Sequence, residues 1–98
     1  MAAITLTEEN FEKEVKQSAL PVLVSYREGE ISSDCVDRVS ERMDGVLKCC
    51  KINAKASPEL VKRYRIRSVP TILLFKRGQV TDTIVGETRT EQLMRILS

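Results

Sequence analysis

The stretch "IRSVPTILLFKRGQV", residues 66–80, decides how this chain folds. Thr71 to Phe75 is an almost unbroken apolar run, the pattern of a strand covered on both faces. Lys76-Arg77-Gly78 follows, a short turn with glycine where a positive φ is needed. Gln79 to Val85 must then return antiparallel as the second arm of a hairpin. Pro70 has no backbone N–H and stands just ahead of the first arm, a place where a strand tolerates it.

Upstream, Ser57-Pro58-Glu59 is a helix start: a cap, a proline at the first position, then an acid. Leu60, Val61 and Tyr64 supply the inner face of that helix. Val46 to Ile52 reads as an apolar strand carrying Cys49 and Cys50. Ile31, Cys35, Val39 and Met43 recur every four residues, with Val36 on the same face. They predict a helix capped by Ser32 or Ser33 and ended by Asp44-Gly45. Leu20 to Val24 is a further buried strand. Ala3 to Leu6 is a short one, followed by a helix capped by Thr7 and burying Phe11 and Val15, which Pro21 stops. Downstream, Gly86 breaks the hairpin's second arm. Thr88-Arg89-Thr90-Glu91 matches a capping box, and Leu93, Met94 and Leu97 face inward from a last helix. The order is β-α-β-α-β, then α-β-β-α. Strands joined through helices pair in parallel by right-handed crossovers, whereas the closing hairpin is antiparallel. The sheet is therefore mixed, with helices on both faces.

Ninety-eight residues make one domain, 1–98, and 42% hydrophobic residues are enough for one modest core. A formal net charge of +2 is too small to imply a nucleic-acid or membrane partner. No apolar run approaches the ~20 residues of a membrane helix. Met1-Ala2-Ala3-Ile4-Thr5 shows no basic region before an apolar stretch, so a cytoplasmic protein is expected. The chain has no histidine and no tryptophan. A Cys/His zinc site, a Ser-His-Asp triad and a Cys-His dyad are thereby absent, four aromatics in all argue against a base-stacking surface, and no metal or cofactor is expected. Three cysteines, Cys35, Cys49 and Cys50, do not look like a secreted disulfide framework.

Four collinear segments carry a family resemblance: "ITLTEENFEKEV" (4–15), "PVLVSY" (21–26), "KINAKASPELVKRYRIRSVPTILLFKRGQV" (51–80) and "VGETRTEQLMRIL" (85–97). Together they resemble the thioredoxin family, and "IRSVPT" (66–71) is the most specific among them. The resemblance implies the thioredoxin fold: one α/β domain, with a central mixed five-stranded sheet and four helices on both faces. It also implies that Val69-Pro70 is a cis peptide beside the active-site loop, and that Val69 pairs its backbone with an extended peptide.

The resemblance breaks where its chemistry would lie. Family members carry C-x-x-C at the start of the second helix. The first thiolate attacks a substrate disulfide, and the second thiol resolves the mixed disulfide. Counted on from Val24 without gaps, the two cysteine places fall on Ile31 and Asp34. The family's tryptophan is replaced by Glu30 and its buried acid by Ser25. The span from Ser25 to Gly45 is shorter than the family's. A deletion in the loop puts Cys35 in the middle of the helix, facing inward; a deletion in the helix leaves it near the amino end. A one-residue shift instead reads Ser32-Ser33-Asp34-Cys35 as S-x-x-C.

Two functions follow as expectations. The main one is a non-catalytic protein-binding module that holds a protein or peptide in the cis-proline groove, through Val69, Pro70, Ile31 and Asp34. The alternative is single-thiol redox or glutathione-linked chemistry through Cys35. Asp34 and Asp37 stand against a thiolate there, and Cys35 also fits the apolar period of its helix. Cys49 and Cys50, adjacent in a strand, point to opposite faces and read as structural. Lys62, Arg63, Arg65 and Arg67, with Lys76 and Arg77, suit a helix C-terminus or an acidic partner.

Overall fold

The computed structural model describes residues 3–28 and 35–97. Five strands are present among the described residues: β1 Ile4–Leu6, β2 Val22–Arg27, β3 Lys48–Asn53, β4 Thr71–Lys76 and β5 Gln79–Val85. They form one sheet in the order β1-β3-β2-β4-β5. β3 pairs in parallel with β1 and β2, and β4 pairs antiparallel with β2 and β5. The β4–β5 turn is a two-residue one, with Arg77 at φ 55° and Gly78 at φ 79°. Two positive φ values in succession match the right-handed twist of the arms they join.

Helices α1 (Cys35–Arg42), α2 (Pro58–Arg63) and α3 (Thr90–Leu97) follow the expected order. The first of the four expected helices is a π-type segment, Glu12–Lys16, closed by the Gln17 N–H on the Glu12 carbonyl. The wider turn brings residues four apart nearer to one line, which suits Phe11 and Val15, both fully buried. Thr7 does cap this region. Its hydroxyl accepts from the Asn10 N–H, while its own N–H donates to Asn10 Oδ1 at 2.7 Å.

Alternation along the strands divides the core between the two faces of the sheet. On one face Val22, Val24, Tyr26, Cys50 and Ile52 pack with Phe11 and Val15 and with Leu60 of α2. On the other, Leu23, Cys49, Ile72 and Leu74 pack beneath Val36 and Val39 of α1 and Leu93 of α3. Phe11, Tyr64 and Phe75 form an aromatic triad with ring centroids 5.2–5.9 Å apart. The Tyr26 hydroxyl donates to the Leu60 carbonyl at 3.2 Å and so satisfies a buried phenol. No described helix is long and apolar enough to cross a membrane.

Two capping details depart from expectation. Ser57 precedes α2 but its side chain makes no cap bond. The Glu59 N–H donates instead to Glu8 Oε2 at 2.8 Å, a carboxylate brought from 51 residues away. At α3 the reciprocal bond runs from the Arg89 N–H to Gln92 Oε1, one residue beyond the expected box. Both shifts have the same cause. A cap is chosen by which acceptor reaches the orphan N–H groups, and tertiary neighbours compete for that place.

Candidate functional site

The carboxyl ends of β2 and β3 and the amino end of β4 meet at one end of the sheet, where open α/β sheets bind ligands. The Val69–Pro70 peptide bond is cis, in the turn that leads into β4. Both residues are half-buried. The turn is fastened twice: the Gly86 N–H donates to the Pro70 carbonyl at 2.9 Å, and the Thr71 hydroxyl donates to the Ser68 carbonyl at 2.7 Å. A groove of about 310 Å³ runs past it, lined by Glu28, Ala54, Ile66, Arg67, Ser68 and Val69. Glu28 follows β2 and pairs with Lys55 at 2.9 Å.

Two of the residues named from sequence, Ile31 and Asp34, lie outside the described residues, as do Glu30 and the possible caps Ser32 and Ser33. Cys35 is the first residue of α1 as described, and its side chain lies outside the description. Cys49 and Cys50 are thiols rather than disulfide halves, and both are buried. They belong to the two opposite core layers, as adjacent strand residues must. Burial pushes the Cys50 thiol up to about 12. A thiol that holds its proton so firmly is a poor nucleophile, so Cys50 fills the core.

A charged pair lies on the α1 face of the sheet. Lys51 Nζ donates to Asp37 Oδ2 at 3.2 Å, and the Ala3 N–H donates to Asp37 Oδ1 at 3.2 Å. The side chains are only 21% and 16% exposed. Asp37 is two residues from Cys35, and sequence reasoning counted its charge against a thiolate there. The ammonium of Lys51 offsets that charge. Nothing in the local sequence announces this, because Lys51 reaches Asp37 from the third strand. Ser25, which stands where the family has a buried acid, is also fully buried. Among the described residues its hydroxyl has no hydrogen-bond partner.

Fold and site together define a single α/β domain in which a cis-proline turn borders a groove at the strand ends and a cysteine opens a helix packed on the sheet. The family model "Thioredoxin" matches residues 2–98. A thioredoxin of Rickettsia bellii is 39% identical over 90 residues, covering 86% of this chain and 85% of that protein. A thioredoxin of Rickettsia felis is 37% identical over 98 residues, covering 94% and 92%. Thioredoxin 1 of a Nostoc species is 34% identical over 90 residues, covering 87% and 84%. The chain belongs to the thioredoxin family.

One expectation is corrected here. The reading of the chain as a non-catalytic binding module rested on the missing C-x-x-C pair. Relatives 34–39% identical along most of the chain are named thioredoxins, and they favour the thiol-redox alternative. The physical error was to treat loss of the second thiol as loss of the chemistry. A thiol on another molecule resolves a mixed disulfide just as an internal one does.

Proposed function

We propose that the protein is a thiol–disulfide exchange protein of the thioredoxin family that works through the single thiol of Cys35 on protein disulfides. The Cys35 thiolate attacks one sulfur of the substrate disulfide. A Cys35–substrate disulfide forms and the other substrate sulfur leaves as a thiolate. A low-molecular-weight thiol, glutathione being the abundant one, then attacks this mixed disulfide and releases Cys35 with its electrons restored. The substrate leaves as a disulfide with that thiol. The observation that carries the reading is the pairing of Asp37 with Lys51 beside the start of α1. It offsets the one described acid close in sequence that would oppose a Cys35 thiolate, while the positive end of a helix favours one. The cis-proline groove supplies the substrate's seat: Val69 offers its main chain to an extended segment, and Pro70 shapes the turn.

Alkylation by iodoacetamide across pH tests this. Cys35 is expected to react in the native protein with a pKa clearly below the free value of ~8.5, and Cys35→Ser to abolish both this labelling and the mixed disulfide formed with oxidised glutathione. Native protein in which Cys35 stays unlabelled would end the proposal.

A further inference from the structure

One basic feature of the described surface is not used by the chemistry above. A cleft of about 490 Å³ opens between the exit of α2 and strand β5. Arg63, Arg65 and Arg67 line one side of it, and among the described residues no acidic side chain lines it. Its floor is Leu73, almost fully buried, and its far wall is formed by Val80 and Val85, which are 40% and 68% exposed. Val80, Thr83 and Val85 pair across from Phe75, Leu73 and Thr71, so they stand on the same face of the sheet as the core beneath α2. The helical layer stops short of β5, leaving this part of the sheet uncovered and apolar.

The backbone adds a second observation. α2 ends in a Schellman motif: the Arg65 N–H bonds to the Lys62 carbonyl at 3.2 Å and the Ile66 N–H to the Val61 carbonyl at 2.9 Å. In this motif the residue in the left-handed conformation is usually glycine. Here it is Arg65, at φ 53°. An L-residue in that region is strained by its Cβ, a cost that glycine avoids. The chain thus keeps a long cation at a position where conformation alone selects against any side chain. Arg63 is also held in place, with its guanidinium carbon 6.0 Å from the centre of the Phe11 ring.

We propose that this cleft docks an extended acidic segment of a partner protein, its carboxylates on Arg63, Arg65 and Arg67 and an apolar side chain on Val80 and Val85. Three guanidiniums with no competing acid among the described lining residues select anionic groups, and the exposed valines beside them reject a small inorganic anion as the full occupant. The cleft shares Ile66, Arg67 and Ser68 with the groove at Val69. An acidic segment seated in it would therefore lie alongside the exchange site. In that sense the inference deepens the redox reading by naming a class of substrate, yet the docking itself needs no thiol.

The test uses the Cys35→Ser protein, so that loss of exchange chemistry and loss of docking are read separately. A fluorescein-labelled peptide, Gly-Asp-Glu-Leu-Glu-Ile-Asp-amide, is titrated by anisotropy at about 20 mM and about 200 mM salt, where screening differs severalfold. Saturable binding is expected, at least about tenfold weaker at the higher salt and in the Arg65→Gly/Arg67→Ser variant, with NMR shifts at Val80, Thr83 and Val85. Glycine suits the Arg65 backbone, so this variant is expected to stay folded, and Val85→Asp provides an independent loss of binding. The same peptide with lysines in place of its acids should not bind. Failure of the acidic peptide to saturate, equal affinity in the variants, or shifts confined to other surfaces would overturn the proposal.

Discussion

Asp37 shows how a single side chain changes meaning once its surroundings are known. Read along the chain, it is an acid two places from a thiol, and it argues against reactivity. In the folded protein its carboxylate accepts from Lys51 and from the Ala3 N–H, so α1, β3 and the start of β1 are joined through one group. Lys51→Met is expected to raise the pKa of Cys35 alkylation and to slow labelling at neutral pH, because Asp37 loses the ammonium that offsets it. The same variant is expected to lose about 1–3 kcal/mol in urea unfolding, less than a fully buried pair because both groups keep some contact with water. Asp37→Asn should move the thiol in the opposite direction. Unchanged alkylation profiles in both variants would show that the pair is purely structural.

Elements were legible to different degrees. The β4–β5 hairpin could be read from a strand run, a short glycine-bearing turn and a second run. Local backbone chemistry decides such a turn, and the observed positive φ values at Arg77 and Gly78 follow from it. The caps of α2 and α3 were less legible, because Glu8 and Gln92 reach the orphan N–H groups from places that only the fold selects. The π-type segment Glu12–Lys16 is tied to β3 by the ion pair of Glu14 with Lys48. Hydrogen bonding from Lys48 holds the Glu14 carboxyl below its ordinary value, outweighing desolvation. The folded carboxylate therefore keeps its charge to lower pH than the unfolded one. Its stabilisation is complete above the ordinary value of 4.5 and is lost as pH falls through the depressed folded value. Urea midpoints measured from about pH 6 to pH 3 should fall less steeply in Lys48→Met than in the parent. Parallel curves would remove this pair from the acid response.

The whole molecule is a sheet between two apolar layers, and its central strand belongs to both. Leu23 faces α1 and α3, while Val22 and Val24 face α2 and the π-type segment. Leu23→Ala removes a side chain with no exposure from a strand bonded on both edges. A loss of about 2–5 kcal/mol is expected in urea unfolding, and in a chain of this size that is a large part of total stability. A change under 1 kcal/mol, by contrast, would mean the layer repacks around the gap.

Sequence alone determined the order of strands and helices, the hairpin, the two-sided burial of β2 and the opposite facing of Cys49 and Cys50. Each of these depends on periodicity or turn chemistry within a few residues, where steric rules act without knowledge of the rest of the chain. Only the tertiary structure decided that Lys51 neutralises Asp37, that Glu8 caps α2, and that three arginines and two valines border one open cleft. Those pairings join residues far apart in the chain, and side chains meet there only because β3 lies between β1 and β2 and β5 stands at the edge of the sheet.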